Sequence, residues 1–363
     1  MKYKTAIFLI FIGIIAIVLM LNFIGIDKVV NALKTANLFF IVLAIIAQIF
    51  TYYLLALRWN IINKIADINV NIKNILPMLL VGLAVNNITP SGRGGGEPVR
   101  AYILSKYAKK PYEETFATVI TDRALDMFPF LILSIIAVIS IIFNFNLDNI
   151  SLAIIIISVI GVTAASVLLI YMSINERFGE KITRWIVKLI KRFYKKDPES
   201  LEKKVMKSIT GFQKTMKRMI SDKKILYHAL PLSFLIWGSE ILRVYIIFLA
   251  FGQVVSPILI GVVFILASLI GMIPLLPGGI GAIDFGMMSL YSSAGISEPI
   301  SAAVTLVERS ISLGMTTIIG FIILPFYGTS VLDKIKLTSM DEEETAKELI
   351  DGLDYIEKDE NED

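Results

Sequence analysis

The chain has 363 residues, 56% of them apolar, with 35 Lys or Arg against 31 Asp or Glu and a formal charge of +4. It has no cysteine and a single histidine, His228, which excludes a disulfide framework, a thiolate metal site and zinc or histidine-dependent hydrolysis, so no cofactor or metal is expected. Apolar runs of about 20 residues recur, the length that crosses a bilayer core of roughly 30 Å, and predict an all-α, multi-pass membrane protein.

In chain order, spanning helices are predicted at 5–26, 38–57, 114–143, 150–172, 229–251, 257–275 and 300–327. Lys2 and Lys4 precede the first, and no small-residue cleavage pattern follows Leu21, so it reads as a retained helix rather than a signal peptide. Two further apolar stretches, 74–89 and 282–296, fit poorly as spans. The loop Glu176–His228 holds sixteen Lys or Arg against six acids and is assigned to the cytoplasm. Within it, Phe178, Ile182, Trp185, Ile186, Leu189, Ile190 and Phe193 fall at helical spacing opposite a basic face, the pattern of a helix lying in an anionic leaflet. The membrane domain is expected over 1–328 and an acidic, disordered tail over 329–363. From Ser339 onward twelve acids meet only Lys347 and Lys358, which leaves a body of net charge +14.

With the basic loop inside, 38–57 and 150–172 run inward while 114–143 and 229–251 run outward. The N-terminus and the tail then also lie in the cytoplasm. The stretch TPSGRGGGEPVRAY, Thr89–Tyr102, follows 74–89 and returns to the cytoplasmic side, so 74–104 is expected to be a re-entrant hairpin.

A second copy of this break lies downstream. Pro90 is followed by Gly92, Gly94 and Glu97, and Pro277 by Gly279, Gly281 and Asp284, at identical offsets of two, four and seven. Twenty-five residues after Glu97 comes the pair Asp122-Arg123, and twenty-four after Asp284 comes Glu308-Arg309. Arg58 and Arg243 precede the two prolines by 32 and 34 residues. Four features in one order predict two repeats, about 38–143 and 229–327, inverted relative to each other, each with a Pro/Gly-broken re-entrant segment, a design of secondary transporters. Glycines there, including Gly96, permit sharp turns and close backbone approach, and freed amides at a half-helix start would attract an anion.

Ionised groups in apolar helices need partners, because each costs on the order of 3 kcal/mol near the bilayer centre. Arg93, Glu97, Arg100, Asp122, Arg123, Asp126, Arg243, Asp284, Glu308 and Arg309 are the candidate substrate-binding residues, and Glu240 shares a helix face with Arg243. Sequence neighbours point about 100° apart, so Asp122 cannot neutralise Arg123, nor Glu308 Arg309. The pairing is expected to cross between repeats, Asp122 toward Arg309 and Glu308 toward Arg123, around a polar cavity. Structural interhelical salt bridges are the alternative.

At TPSGRGGGEPVRAYIL, TDRALD, IPLLPGGIGAIDFG and VERSISLG, over roughly residues 5–327, the sequence resembles the flippase-like membrane region of lysylphosphatidylglycerol synthase, the multiple peptide resistance factor. The resemblance implies an integral membrane fold with internal pseudo-symmetry that moves an aminoacylated anionic phospholipid between leaflets. It carries Gly92, Gly94, Gly96 and Glu97, with Arg100 following, over as motif residues. The soluble aminoacyl-transferase domain is not expected after the last helix, so lipid lysylation is not implied.

Three classes follow. The first is a transporter of an anionic or aminoacylated phospholipid or a polyprenyl-phosphate lipid. The second, an intramembrane enzyme, is disfavoured: GAID lacks a glycine directly before Asp284, and no Walker lysine pattern occurs. The third is a structural or partner subunit for a soluble lipid-modifying enzyme. Anionic lipid is the expected partner, a second copy of the chain and such an enzyme are further candidates, and nucleic acid is not expected.

Overall fold

The computed structural model describes residues 26–89, 95–144, 149–175, 198–271 and 277–327, with 177, 181, 184 and 185. The predicted span 5–26 up to residue 25, the break residues Pro90, Gly92, Arg93 and Gly94, most of the basic helix 178–193 and the tail from 328 lie outside the described residues.

The described residues are all-helical. A short amphipathic helix, α1 (Ile26–Lys34), leads to α2 (Leu38–Ile65), whose first turn is capped by Asn37 accepting from the Phe39 amide at 3.0 Å. Asn71 caps α3 (Ile72–Ile88) in the same way, through the Lys73 amide at 3.0 Å. Then follow α4 (Gly96–Ala108), α5 (Tyr112–Leu125), α6 (Met127–Asn144) and α7 (Asn149–Ile174). A helix over Pro198–Ser221, α8, precedes a π-helical turn at Ile225–Ala229 that leads into α9 (Leu230–Ala250). The chain continues through α10 (Pro257–Gly271), a tight turn at Pro277–Gly279, α11 (Ala282–Ser293) and α12 (Glu298–Arg309). A second π-helical turn, Ser310–Met315, joins α12 to α13 (Thr316–Ile323).

Among the described residues, five helical runs, 38–65, 112–143, 152–174, 225–250 and 298–327, are long and apolar enough to cross a membrane. Exposed Ile132, Ile135, Ile139 and Ile142 of α6 and Ile150, Ile154, Ile157 and Ile160 of α7 recur at helical spacing, as on faces turned to lipid. The predicted 38–57 extends to Ile65, because Arg58, Asn60 and Asn63 depress hydropathy yet are buried by neighbouring helices. The predicted 114–143 divides at Asp126, and 300–327 is widened by the π turn, each break falling within three residues of a charged pair. The helix α8 lies where a basic loop is expected. It packs on α5 and α7 through buried Met216 and Met219 and through Phe212, whose ring lies 6.0 Å from that of Phe116.

The packing has a recurrent order. In the first part of the chain α2 touches α3 and α5, α3 touches α4, and α4 touches α5; in the second, α9 touches α10 and α12, α10 touches α11, and α11 touches α12. Between the parts, α2 lies against α9, α3 against α13 and α10 against α6. Lipid offers helices little hydrophobic drive to associate, so close approach of small residues carries much of this packing. A methyl group at Gly96 would lie 1.8 Å from the Gly82 carbonyl oxygen, so α3 and α4 cross backbone to backbone there.

Candidate functional site

The first group of charges gathers around Arg58, buried on α2. Its Nε donates to Asp122 Oδ1 at 2.7 Å, Nη1 donates to Ser233 Oγ at 2.8 Å, and both Nη groups reach Asp126. Asp122 Oδ2 accepts from Arg100 Nη2 at 2.6 Å, and the Arg100 guanidinium lies 4.6 Å from the centre of the Trp59 ring. One helix turn closer to the break, Glu97 Oε1 accepts from Arg123 Nε at 2.7 Å and from Asn86 Nδ2 at 3.1 Å.

The second group repeats the scheme. Arg243, buried on α9, donates from Nη2 to Glu308 Oε1 at 2.9 Å and to Glu240 Oε2 at 2.6 Å, while Nη1 donates to Gln48 Oε1 of α2. Arg309 Nε donates to Asp284 Oδ1 at 3.1 Å and its Nη2 to the Gly278 carbonyl at 2.6 Å. Asp284 Oδ2 accepts the Gly281 amide at 2.8 Å, and Gly278, Gly279 and Gly281 all have positive φ, which a residue with a Cβ resists. The start of α11 therefore already has an anion in place, the carboxylate of Asp284, where free amides were expected.

The expected crossing of Asp122 to Arg309 and Glu308 to Arg123 does not occur. Each acid pairs inside its own part of the chain: Arg58 with Asp122 and Arg123 with Glu97, then Arg243 with Glu308 and Arg309 with Asp284. The 100° divergence of sequence neighbours has this outcome because α5 packs between α2 and α4, and α12 between α9 and α11. One residue of each pair meets the long helix and the other meets the helix after the break.

Between the two groups lies a cavity of about 240 Å³, walled by α2, α3, α5, α9, α10, α11, α12, the first residue of α13 and the turns beside Gly278 and Ser312. Of the predicted residues, Arg123, Asp126, Arg243, Glu308 and Arg309 line it. Glu97, Arg100, Asp122 and Asp284 stand behind the wall, buried, and hold the lining arginines or their neighbours. The lining side chain most open to the cavity space among these charges is Arg123, at 35% exposure, followed by Asp126 at 22% and Glu240 at 19%. Gln48, Tyr52, Asn86 and Asn87 also line the cavity and were not singled out from the sequence. Their signal was there as polar residues inside apolar helices: Gln48 and Tyr52 one turn apart, and Asn86-Asn87 just before the first break. Tyr52 hydrogen-bonds Thr316, and Asn87 Nδ2 donates to Thr317 Oγ1 at 2.9 Å, tying α2 and α3 to α13.

An ion pair joins α8 to the loop after α2, outside the spans. Arg218 of α8 donates to Asp67, between α2 and α3, at 2.5 Å, and this hydrogen bond lowers the Asp67 carboxyl below its ordinary range and raises the Arg218 guanidinium.

The fold and the site define a multi-pass α-helical membrane protein with two matching sets of buried ion pairs around a polar cavity. The chain belongs to the lysylphosphatidylglycerol synthase TM region family, which it matches over residues 6–320. It is 47% identical to a UPF0104 membrane protein of Methanothermobacter thermautotrophicus, over 92% of this chain and 99% of that protein. A UPF0104 membrane protein of Methanocaldococcus jannaschii is 33% identical over 88% of this chain and 94% of its own length, and one of Pyrococcus horikoshii 28% identical over 87% and 95%. No solved structure matches the chain.

Proposed function

We propose that the protein moves an anionic or aminoacylated phospholipid, or a polyprenyl-phosphate lipid, between leaflets, without catalysing a chemical step. The headgroup enters the cavity between two inverted repeats while the tails stay in lipid. The observation that carries this reading is the placing of Arg123, Arg243 and Arg309 on one cavity wall system, from both parts of the chain, with guanidinium groups suited to a phosphate. Glu97 holds Arg123 and Asp284 holds Arg309 from behind the wall, and Asp126 and Glu308 balance Arg123 and Arg243 within the cavity.

Two facts support the inverted, re-entrant arrangement. The contacts among α2, α3, α4 and α5 recur among α9, α10, α11 and α12. At about 1.5 Å per residue, α4 and α11 span only about 20 Å, too short for a bilayer core, and both follow the breaks. The basic stretch 176–228 orients the N-terminus and tail to the cytoplasm.

A second reading, a structural or partner subunit for a soluble lipid-modifying enzyme, is favoured by the pairing of Arg58, Arg100, Arg123, Arg243 and Arg309 each with an acid of its own part of the chain, which leaves structural salt bridges as a sufficient role. Reconstitution decides. Purified protein in vesicles carrying headgroup-labelled phosphatidylglycerol or polyprenyl phosphate should accelerate leaflet exchange over empty vesicles. Unchanged exchange across several anionic lipids sinks the transport reading.

A further inference from the structure

The two sets of charges match at four positions and differ at three. Counting three residues toward the N-terminus from each long-helix arginine, the second part has Glu240 where the first has Leu55. Three residues past Arg123 lies Asp126, and three past Arg309 lies Ser312; three past Glu97 lies Arg100, and three past Asp284 lies Met287. The first set thus balances Arg58, Arg100 and Arg123 against Glu97, Asp122 and Asp126, whereas the second sets Glu240, Asp284 and Glu308 against only Arg243 and Arg309.

The surplus acid is concentrated at one nitrogen. Arg243 Nη2 serves Glu240 Oε2 and Glu308 Oε1 together, Nη1 is taken by Gln48, and Nε is buried with no partner. Glu308 is buried, whereas the Glu240 side chain is 19% exposed and lines the cavity. The Arg243 side chain has no exposed surface of its own, so an anion can take hydrogen bonds from it only by displacing the partly exposed Glu240 from Nη2.

We infer that Glu240 is a proton-coupling carboxyl. When a phosphate headgroup engages Arg243, Glu240 is released from it and takes one proton from the solvent reaching the cavity. The carboxylate becomes a neutral carboxylic acid, and the proton returns to solvent when the headgroup leaves. This rests on the proposed reading of the cavity as a headgroup site. Glu240 suits the role because a less accessible acid would exchange its proton slowly, and because leaving a negative charge beside a bound phosphate in a poorly solvated cavity is costly. The other groups around it are Tyr52 on α2, Arg123 and Asp126 at the α5–α6 break, Glu308 and Arg309 on α12, and Tyr291 and Asp284 on α11 behind them. On α10 the facing residues, Phe264, Ala267 and Ser268, do not titrate, and His228 lies in the π turn at the far end of α9.

The test is calorimetric binding of short-chain phosphatidylglycerol to the full-length protein in detergent, in two buffers of different ionisation enthalpy. The phosphodiester does not titrate near neutral pH, so proton uptake reports the protein. The expected result is uptake of about one proton per lipid bound, with Kd rising about tenfold per pH unit wherever a full proton is taken up, and loss of both in Glu240→Gln. Lipid binding without proton uptake, or uptake that Glu240→Gln retains, overturns the coupling and leaves the transport reading standing. Inorganic phosphate serves as the second arm. Binding of phosphate but not lipid, with uptake beyond phosphate's own ionisation that Glu240→Gln removes, supports the coupling and overturns the lipid reading. No binding of either probe overturns both. Wild-type binding without proton uptake overturns the coupling even if the variant does not fold.

Discussion

Arg58 and Arg243 stand at matching places on two helices that pack against each other, and each holds an acid of its own part of the chain: Asp122 at 2.7 Å and Glu308 at 2.9 Å. Neither arginine is exposed, and each carries further partners, so the two residues act as the anchors from which the cavity walls are built.

Removing Asp122 takes the acid from buried Arg100 and leaves buried Arg58 with Asp126 alone. Asp122→Ala is expected to lose on the order of 3–5 kcal/mol, as when one partner of a buried ion pair is removed, and thermal unfolding in detergent reads it. Asp126→Asn leaves Asp122 in place and should cost distinctly less. Equal losses would mean that Arg58 is not held mainly through Asp122.

Pairing within each part of the chain has a testable signature. A double-mutant cycle between Asp284 and Arg309 should show a coupling of about 1–3 kcal/mol, whereas a cycle between Asp122 and Arg309 should show coupling near zero. Large coupling across the parts would contradict the pairing.

Arg123→Ala with Arg309→Ala should abolish lipid exchange in vesicles if the cavity binds phosphate. Exchange per folded molecule that survives the double substitution would leave these arginines a purely structural role.

Gly96→Ala should destabilise severely, because the new methyl group would sit 1.8 Å from the Gly82 carbonyl and force α3 and α4 apart. Gly161→Ala, where nothing lies within 4 Å of the added carbon, is the control for expression and thermal unfolding.

At the Asp67–Arg218 pair the folded carboxyl is held below its unfolded value. Its contribution is therefore present above the ordinary carboxylate pKa of about 4 and is lost as pH falls through the lowered value. The side chains are 65% and 54% exposed, so the effect is small and screened by salt. Arg218→Ala should lower the unfolding temperature slightly at neutral pH and low salt, and not at all in strong acid. A loss that persists in acid would point to packing of α8 instead.

Much of the fold was legible in the chain because hydropathy follows directly from composition. The runs at 38–57, 229–251 and 300–327, and the matched offsets of Pro90 and Pro277, needed no coordinates. The ends were less legible where polar residues are buried, as at Arg58, Asn60 and Asn63, and α8 was missed because its charge outweighs its apolar stripe of Phe212, Met216 and Met219 in any window average. Gln48, Tyr52, Asn86 and Asn87 escaped notice because uncharged polar residues cost far less in an apolar helix than charged ones and so stand out less, even one turn apart.

The sequence by itself determined that this is an apolar, multi-pass helical chain with two ordered sets of proline, glycine and charge, since a bilayer imposes length and hydropathy on each segment separately. Only the tertiary structure decided which arginine meets which acid. Pairing depends on which helices flank α5 and α12, and on the few ångströms of approach that Gly96 and Gly82 allow. The same packing left Glu240, rather than Glu308 or Asp284, as the acid of the second set most open to the cavity.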